Sequence, residues 1–223
     1  MNKLPILYSF RRCPFAIRTR MSLVEAGISV ELREVLLKDK PAEMLSVSPK
    51  GTVPVLINFS EKAQVLDESL DIMVWALNQG QTDWLDGPVG LESQLEMIRD
   101  FEACFKPSLD SYKYHDASKE FTLEYYRNNG MKVIEQLDSV LSTSTSAYLL
   151  GDRPRLLDVA VMPFIRQFAH VESGWFNDQE VPSLQNWLRG WLQSEKFSLA
   201  MRKYQVWKPD HKLTVFGLKG ESR

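Results

Sequence analysis

A lone cysteine at a strand-to-helix junction constrains this chain more than any other feature. The apolar run Leu4 to Tyr8 reads as a buried strand. After Arg11-Arg12-Cys13-Pro14-Phe15, apolar residues recur at helical spacing: Ala16, Ile17, Met21, Leu23, Val24 and Ala26, with Gly27 as a stop. Pro14 suits the first helical position, where a missing N–H costs nothing. Cys13 therefore faces the unpaired N–H groups of the first turn, which with the helix dipole favour an anion. A thiol so placed loses its proton more easily, and the thiolate is the nucleophile. Arg11, Arg12 and Arg18 add positive charge nearby. The competing reading is a small hydrophobe at a core edge. Position 16 is Ala, so this site cannot close its own disulfide. A second thiol must come from outside, and glutathione is the obvious candidate.

Ser29 to Val35 alternates and is rich in β-branched residues, a second strand. Strand, helix and strand in this order predict a parallel βαβ unit. Beyond the charged turn Leu37 to Pro41, a short helix is expected over Ala42 to Ser46, then a Pro/Gly loop, Ser48-Pro49-Lys50-Gly51-Thr52. Val53 to Ile57 and Gln64 to Leu66, joined by the polar turn Ser60-Glu61-Lys62, predict an antiparallel hairpin. Pro54 opens the first of these runs, where a strand tolerates proline. Asp67-Glu68-Ser69 then precedes a helix carrying Leu70, Ile72, Met73, Trp75, Ala76 and Leu77. These three residues read either as a helix cap or as a site for a zwitterionic ligand head.

Gly80, Gly87, Pro88 and Gly90 interrupt the periodicity, so 81–90 is expected to link domain 1–80 to an all-helical domain over 91–223. Long helices are expected from Leu91 to about His115 and from Lys119 to Leu141, with Pro107 inside the first. Leu156 to Val171 is apolar nearly all round and should be buried on every face. Asp158 stands three residues after Arg155, where a capping box needs Ser or Thr, so the usual box is not available. Shorter helices follow over Ser183 to Ser194 and Lys196 to Tyr204. The polar stretch from Gln205 to Arg223 reads as an extended tail.

Composition narrows the function classes. With 44% hydrophobic and 25% charged residues in 223, the chain can bury a sizeable core. A net charge of −2 gives no footing for nucleic acid or an anionic membrane, and no apolar run is long enough to span a bilayer. No apolar signal segment opens the chain, and the two cysteines, Cys13 and Cys104, make no disulfide framework, so a reducing cytoplasm is expected. Cys104 is expected to face core or cleft as a bystander. His115, His170 and His211 lack metal-ligand spacing, and no metal is expected.

Four motifs in order, Cys-Pro-Phe-Ala, Lys-Asp-Lys-Pro, Thr-Val-Pro-Val and Glu-Ser, resemble the cysteine-type glutathione transferases of the omega and lambda kind. The first is also similar to a monothiol glutaredoxin site. The resemblance implies an α/β thioredoxin-like domain (βαβ-ββα) followed by an all-α domain. It implies that Cys13 forms a mixed disulfide with glutathione, the co-substrate, which a second glutathione resolves. Glutathionylated thiols, dehydroascorbate or S-conjugates would be the small disulfide or electrophilic partners. It implies that Lys40 pairs with a glutathione carboxylate and that Val53 bonds the cysteinyl backbone as an added strand would. It also implies that Pro54 is cis, an isomer the sequence alone leaves open, and that Glu68 and Ser69 hold the γ-glutamyl ammonium and carboxylate. Phe105, Leu109, Tyr112, Phe168 and Trp175 are candidates for a second-substrate cleft. The resemblance admits a homodimer. Two other readings share the architecture: a glutathione-dependent isomerase or dehalogenase, and a non-catalytic binder like the intracellular chloride-channel proteins.

Overall fold

The computed structural model describes residues 3–59, 64–143 and 146–217. The chain divides into two compact units, one of Met1–Thr82 with Glu195–Arg223 and one of Asp83–Ser194.

The first unit is built on a mixed sheet. Strand β1 (Ile6–Ser9) leads to helix α1 (Pro14–Ala26) and strand β2 (Val30–Glu34), which pairs parallel to β1. Helix α2 (Ala42–Val47) follows, then strands β3 (Val55–Asn58) and β4 (Gln64–Leu66) and helix α3 (Ser69–Leu77). β3 runs antiparallel to both β1 and β4. The predicted βαβ-ββα order is present, and α1 starts at Pro14 and ends against Gly27 as read. Gly27 takes the left-handed conformation, φ 67°, with its N–H and that of Ile28 returned to Val24 and Leu23 carbonyls at 3.2 and 3.0 Å. The turn expected at Ser60-Glu61-Lys62 lies outside the described residues.

Strand alternation divides the core in two. Leu7, Val30, Leu32 and Leu56 point to one face and pack with Leu23, Ile72 and Ala76 of α1 and α3. Ile6, Tyr8 and Val55 point to the other and pack with Met44 of α2 and with Val53; Cys13 lies partly buried at this second cluster's edge.

The C-terminal stretch departs from expectation. Helix α9 (Glu195–Ala200) packs on α1, and the polar tail returns as strand β5 (Val215–Phe216), antiparallel to β2. The sheet order is thus β4-β3-β1-β2-β5. Phe216 joins the core beside Val30, and Trp207 donates its N–H to the Glu34 carbonyl at 2.8 Å. A two-residue strand among polar neighbours has no periodicity of its own. The open N–H and C=O groups of the β2 edge create it.

The second unit holds α4 (Leu91–Lys113), α5 (Leu123–Thr143), α6 (Leu156–Ala169), α7 (Ser173–Asn177) and α8 (Pro182–Gln193). α6 is buried nearly throughout, as its all-round apolarity predicts. Its cap is half a capping box: Asp158 accepts the Arg155 N–H at 3.0 Å. The reciprocal bond is missing because a guanidinium has no acceptor. Asp158 instead takes the Leu149 N–H at 2.9 Å and the Trp187 indole N–H at 3.0 Å. No helix among the described residues is long and apolar enough to cross a membrane.

Candidate functional site

Cys13 occupies the N-cap of α1 in extended conformation, and its side chain makes no capping bond. Its own N–H is held by the Phe10 carbonyl at 3.0 Å. Its S–H reaches the Val53 carbonyl at 3.6 Å. The Val53-Pro54 bond is cis.

These residues open onto a cavity of about 500 Å³ in the first unit. Every site residue read from the sequence, Cys13, Lys40, Val53, Pro54, Glu68 and Ser69, lies on its wall. So do Asp67, of the segment read as a cap or a ligand site, and Phe15 and Lys50, to which the sequence assigned no role. Four separate segments converge here: the start of α1, the turn before α2, the loop before β3 and the start of α3.

Lys50 is the main addition. It sits in a turn closed by the Gly51 N–H on the Ser48 carbonyl at 3.0 Å. Gly51 has φ +63°, a conformation that favours glycine. The turn directs the Lys50 ammonium to Glu68 at 2.5 Å and to Asp67 at 3.3 Å. Partial burial alone would lower the Lys50 pKa; the hydrogen bonds it donates to Glu68 and Asp67 outweigh it and raise it. Asp67 is held below the usual carboxylate range, first by the Ser48 hydroxyl at 2.7 Å and then by Lys50. A Pro/Gly loop carries no sign that its lysine meets two carboxylates from another segment.

Ser69 differs from Glu68. The Glu68 side chain is 69% exposed, whereas Ser69 is 4% exposed and its hydroxyl accepts two bonds from Arg18, at 3.1 Å from Nε and 2.8 Å from Nη2. The Glu68 side chain does not cap α3.

Outside the first unit, the aromatics proposed for a second-substrate cleft pack on one another. The Phe168 ring lies 5.5 Å from Phe105 and 5.0 Å from Tyr112. The Tyr112 hydroxyl donates to Glu172 at 2.8 Å, and Arg127 reaches the same oxygen at 2.9 Å. Burial, then the neighbouring carboxylate, raises the Tyr112 pKa well above its usual value. Cys104, expected to face core or cleft, is exposed. The polar face of α4 turns it outward.

Comparison with known proteins bears on the whole chain. Residues 7–82 match the family model for the glutathione S-transferase N-terminal domain. Glutathione S-transferase omega-1 of Sus scrofa is 26% identical over 195 residues, covering 86% of this chain and 78% of that protein. Residues 7–82 are thus identified as a glutathione S-transferase N-terminal domain, and the chain is similar to glutathione transferases along most of its length. Glutathione S-transferase U19 of Arabidopsis thaliana is 27% identical over 206 residues, 88% of this chain and 89% of the relative. Among solved structures, a glutathione transferase family member from Pseudomonas fluorescens pf-5, with two glutathione bound, superposes with a TM-score of 0.77. That match has 19% identity and covers 89% of this chain and 92% of the other. The transferase fold, a thioredoxin-like sheet domain with a helical region, is the fold described above.

Proposed function

We propose that this protein is a glutathione transferase of the cysteine type and moves glutathione through a mixed disulfide on Cys13. One observation carries the reading: a thiol at the start of α1 shares a single cavity with Lys40, Lys50, Val53, Glu68 and Ser69. The relatives named for the omega class support it. The cavity matches a γ-glutamyl tripeptide in charge, with acidic side chains for an ammonium and lysines for carboxylates. The Val53 carbonyl supplies an acceptor beside the sulfur for the cysteinyl N–H.

The chemistry is two displacements. The Cys13 thiolate attacks the glutathione sulfur of a mixed disulfide, forming Cys13–S–S–glutathione and expelling the partner thiolate, which takes a proton from solvent. A second glutathione thiolate attacks the glutathione sulfur of that intermediate, giving oxidised glutathione and regenerating the Cys13 thiolate. The α1 N-terminus favours the anionic sulfur at both stages.

The test is intact mass after incubation with oxidised glutathione. The native chain should gain one glutathionyl group that excess glutathione removes, and Cys13→Ala should gain none. The same adduct on both chains, or none on either, would overturn the reading.

A further inference from the structure

Cys13 closes a tight turn. Its N–H bonds the Phe10 carbonyl at 3.0 Å, with Arg11 and Arg12 between. No non-glycine residue among those described has a positive φ, so this hydrogen-bonded turn is of type I. The N–H of the second residue in such a turn has no partner inside it and needs one from elsewhere. Here that N–H belongs to Arg11, and the Glu34 carboxylate accepts it at 2.7 Å, from 23 positions away. Glu34 is 7% exposed and is itself held at both ends. Arg20 pairs with its other carboxylate oxygen and also donates to the hydroxyl of Ser9, the residue before the turn, at 2.8 Å. The Glu34 carbonyl takes the Trp207 N–H at 2.8 Å. The end of α9 closes the far side: the Arg20 guanidinium reaches the Ala200 carbonyl at 3.3 Å, and that of Arg11 reaches the Met201 carbonyl at 3.4 Å.

We propose that Glu34 is a positioning residue for the thiol: by accepting the Arg11 N–H it fixes the turn that presents the Cys13 sulfur at the start of α1, beside the Val53 carbonyl. The inference rests on the reading of Cys13 above and adds to it a residue outside the cavity wall. The turn has one hydrogen bond of its own. Without Glu34 the Arg11 N–H turns to water, and the sulfur spends less time where the helix terminus favours its anion. The charge of Glu34 works the other way, since one anion disfavours a second nearby. Its service to the thiol is therefore that of an acceptor, and a neutral acceptor in the same place should keep it.

The experiment is alkylation of the full, reduced chain by iodoacetamide across a pH series, with the rates at Cys13 and Cys104 read from their separate peptides. Cys104, exposed and in the other unit, is the internal control. Glu34→Gln keeps an acceptor oxygen and Glu34→Met does not, while both remove the charge and strand Arg20 alike. At neutral pH, Glu34→Met should react at Cys13 roughly 3- to 10-fold more slowly than Glu34→Gln, the range of one hydrogen bond. Its pH midpoint at Cys13 should lie higher by about half a unit, the share of a helix terminus, with Cys104 the same in both. A second pair leaves the contact of Arg20 with Glu34 intact and decides the matter if the Glu34 variants do not fold. Proline suits the second position of a type I turn but lacks the N–H, whereas alanine keeps it; both lose the guanidinium. Arg11→Pro should be slower at Cys13 than Arg11→Ala by the same factor. Near-ultraviolet circular dichroism confirms that each variant is folded. Equal Cys13 rates within either folded pair, or a loss shared equally by Cys104, would overturn the proposal. A native chain whose Cys13 reacts no faster than Cys104 and takes no glutathionyl group from oxidised glutathione would instead sink the reading of Cys13 as nucleophile, and the inference with it.

Discussion

Glu34, the last residue of β2, accepts the backbone N–H of Arg11 at 2.7 Å, two residues before Cys13. Its other carboxylate oxygen receives Arg20, which also holds the Ser9 hydroxyl at 2.8 Å and the Ala200 carbonyl at 3.3 Å. Arg20 has no exposed surface. The loop carrying the thiol is therefore tied to a buried ion pair rather than left to the surface.

Removing one member of that pair strands the other charge. Glu34→Gln leaves an acceptor for the Arg11 N–H but a buried guanidinium with no counter-charge at this contact. Loss of about 3–5 kcal/mol of stability is expected, read as a lower urea midpoint. A loss under about 1 kcal/mol would show that the pair is solvated in solution.

The pH dependence of stability should carry a signature of Asp158. Burial outweighs its N–H donors and pushes its carboxyl up to about 6, against 3.8 in the unfolded chain. The folded state thus binds this proton more tightly. The stability it contributes is fully present below about pH 4 and is lost as pH rises through about 6. The native chain should therefore exceed Asp158→Asn in stability by more at pH 4.5 than at pH 7, with a ceiling of about 3 kcal/mol on the change. Urea titrations of both chains at the two values check this. A gap that widens with rising pH would contradict it.

Gly130 on α5 faces the Phe168 ring of α6. A Cβ at this position would stand 2.5 Å from a ring carbon. Replacing a mid-helix glycine by alanine ordinarily stabilises by about 1 kcal/mol. Here overpacking wins, and Gly130→Ala should lower stability by about 1–3 kcal/mol. Pairing it with Phe168→Leu should recover part of the loss in a double-mutant cycle, and strict additivity would refute the contact.

The returning tail can be weighed by two substitutions three residues apart. Phe216 is 2% exposed and packs beside Val30, whereas Leu213 is 60% exposed. Phe216→Ala should cost about 3–4 kcal/mol, and Leu213→Ala less than about 0.5 kcal/mol. Equal thermal midpoints for the two variants would mean that β5 does not hold in solution.

The sequence by itself determined the local elements and the residues with a local signature. Pro14 and Gly27 bound α1 because one lacks an N–H and the other tolerates positive φ. An apolar run gave β1, alternation β2, helical spacing α1 and all-round apolarity α6, and the resemblance carried by four ordered motifs grouped Cys13, Lys40, Val53, Pro54, Glu68 and Ser69. Tertiary structure alone decided what those residues face. Lys50 meets Asp67 and Glu68 across 17 and 18 positions, Arg18 meets Ser69 across 51, and β5 exists only because the β2 edge is open beside it. Periodicity records which side of an element is apolar, a property of neighbours in sequence. The partner of a polar side chain is set by which distant segment the packed core brings within about 3 Å, and no local pattern encodes that distance.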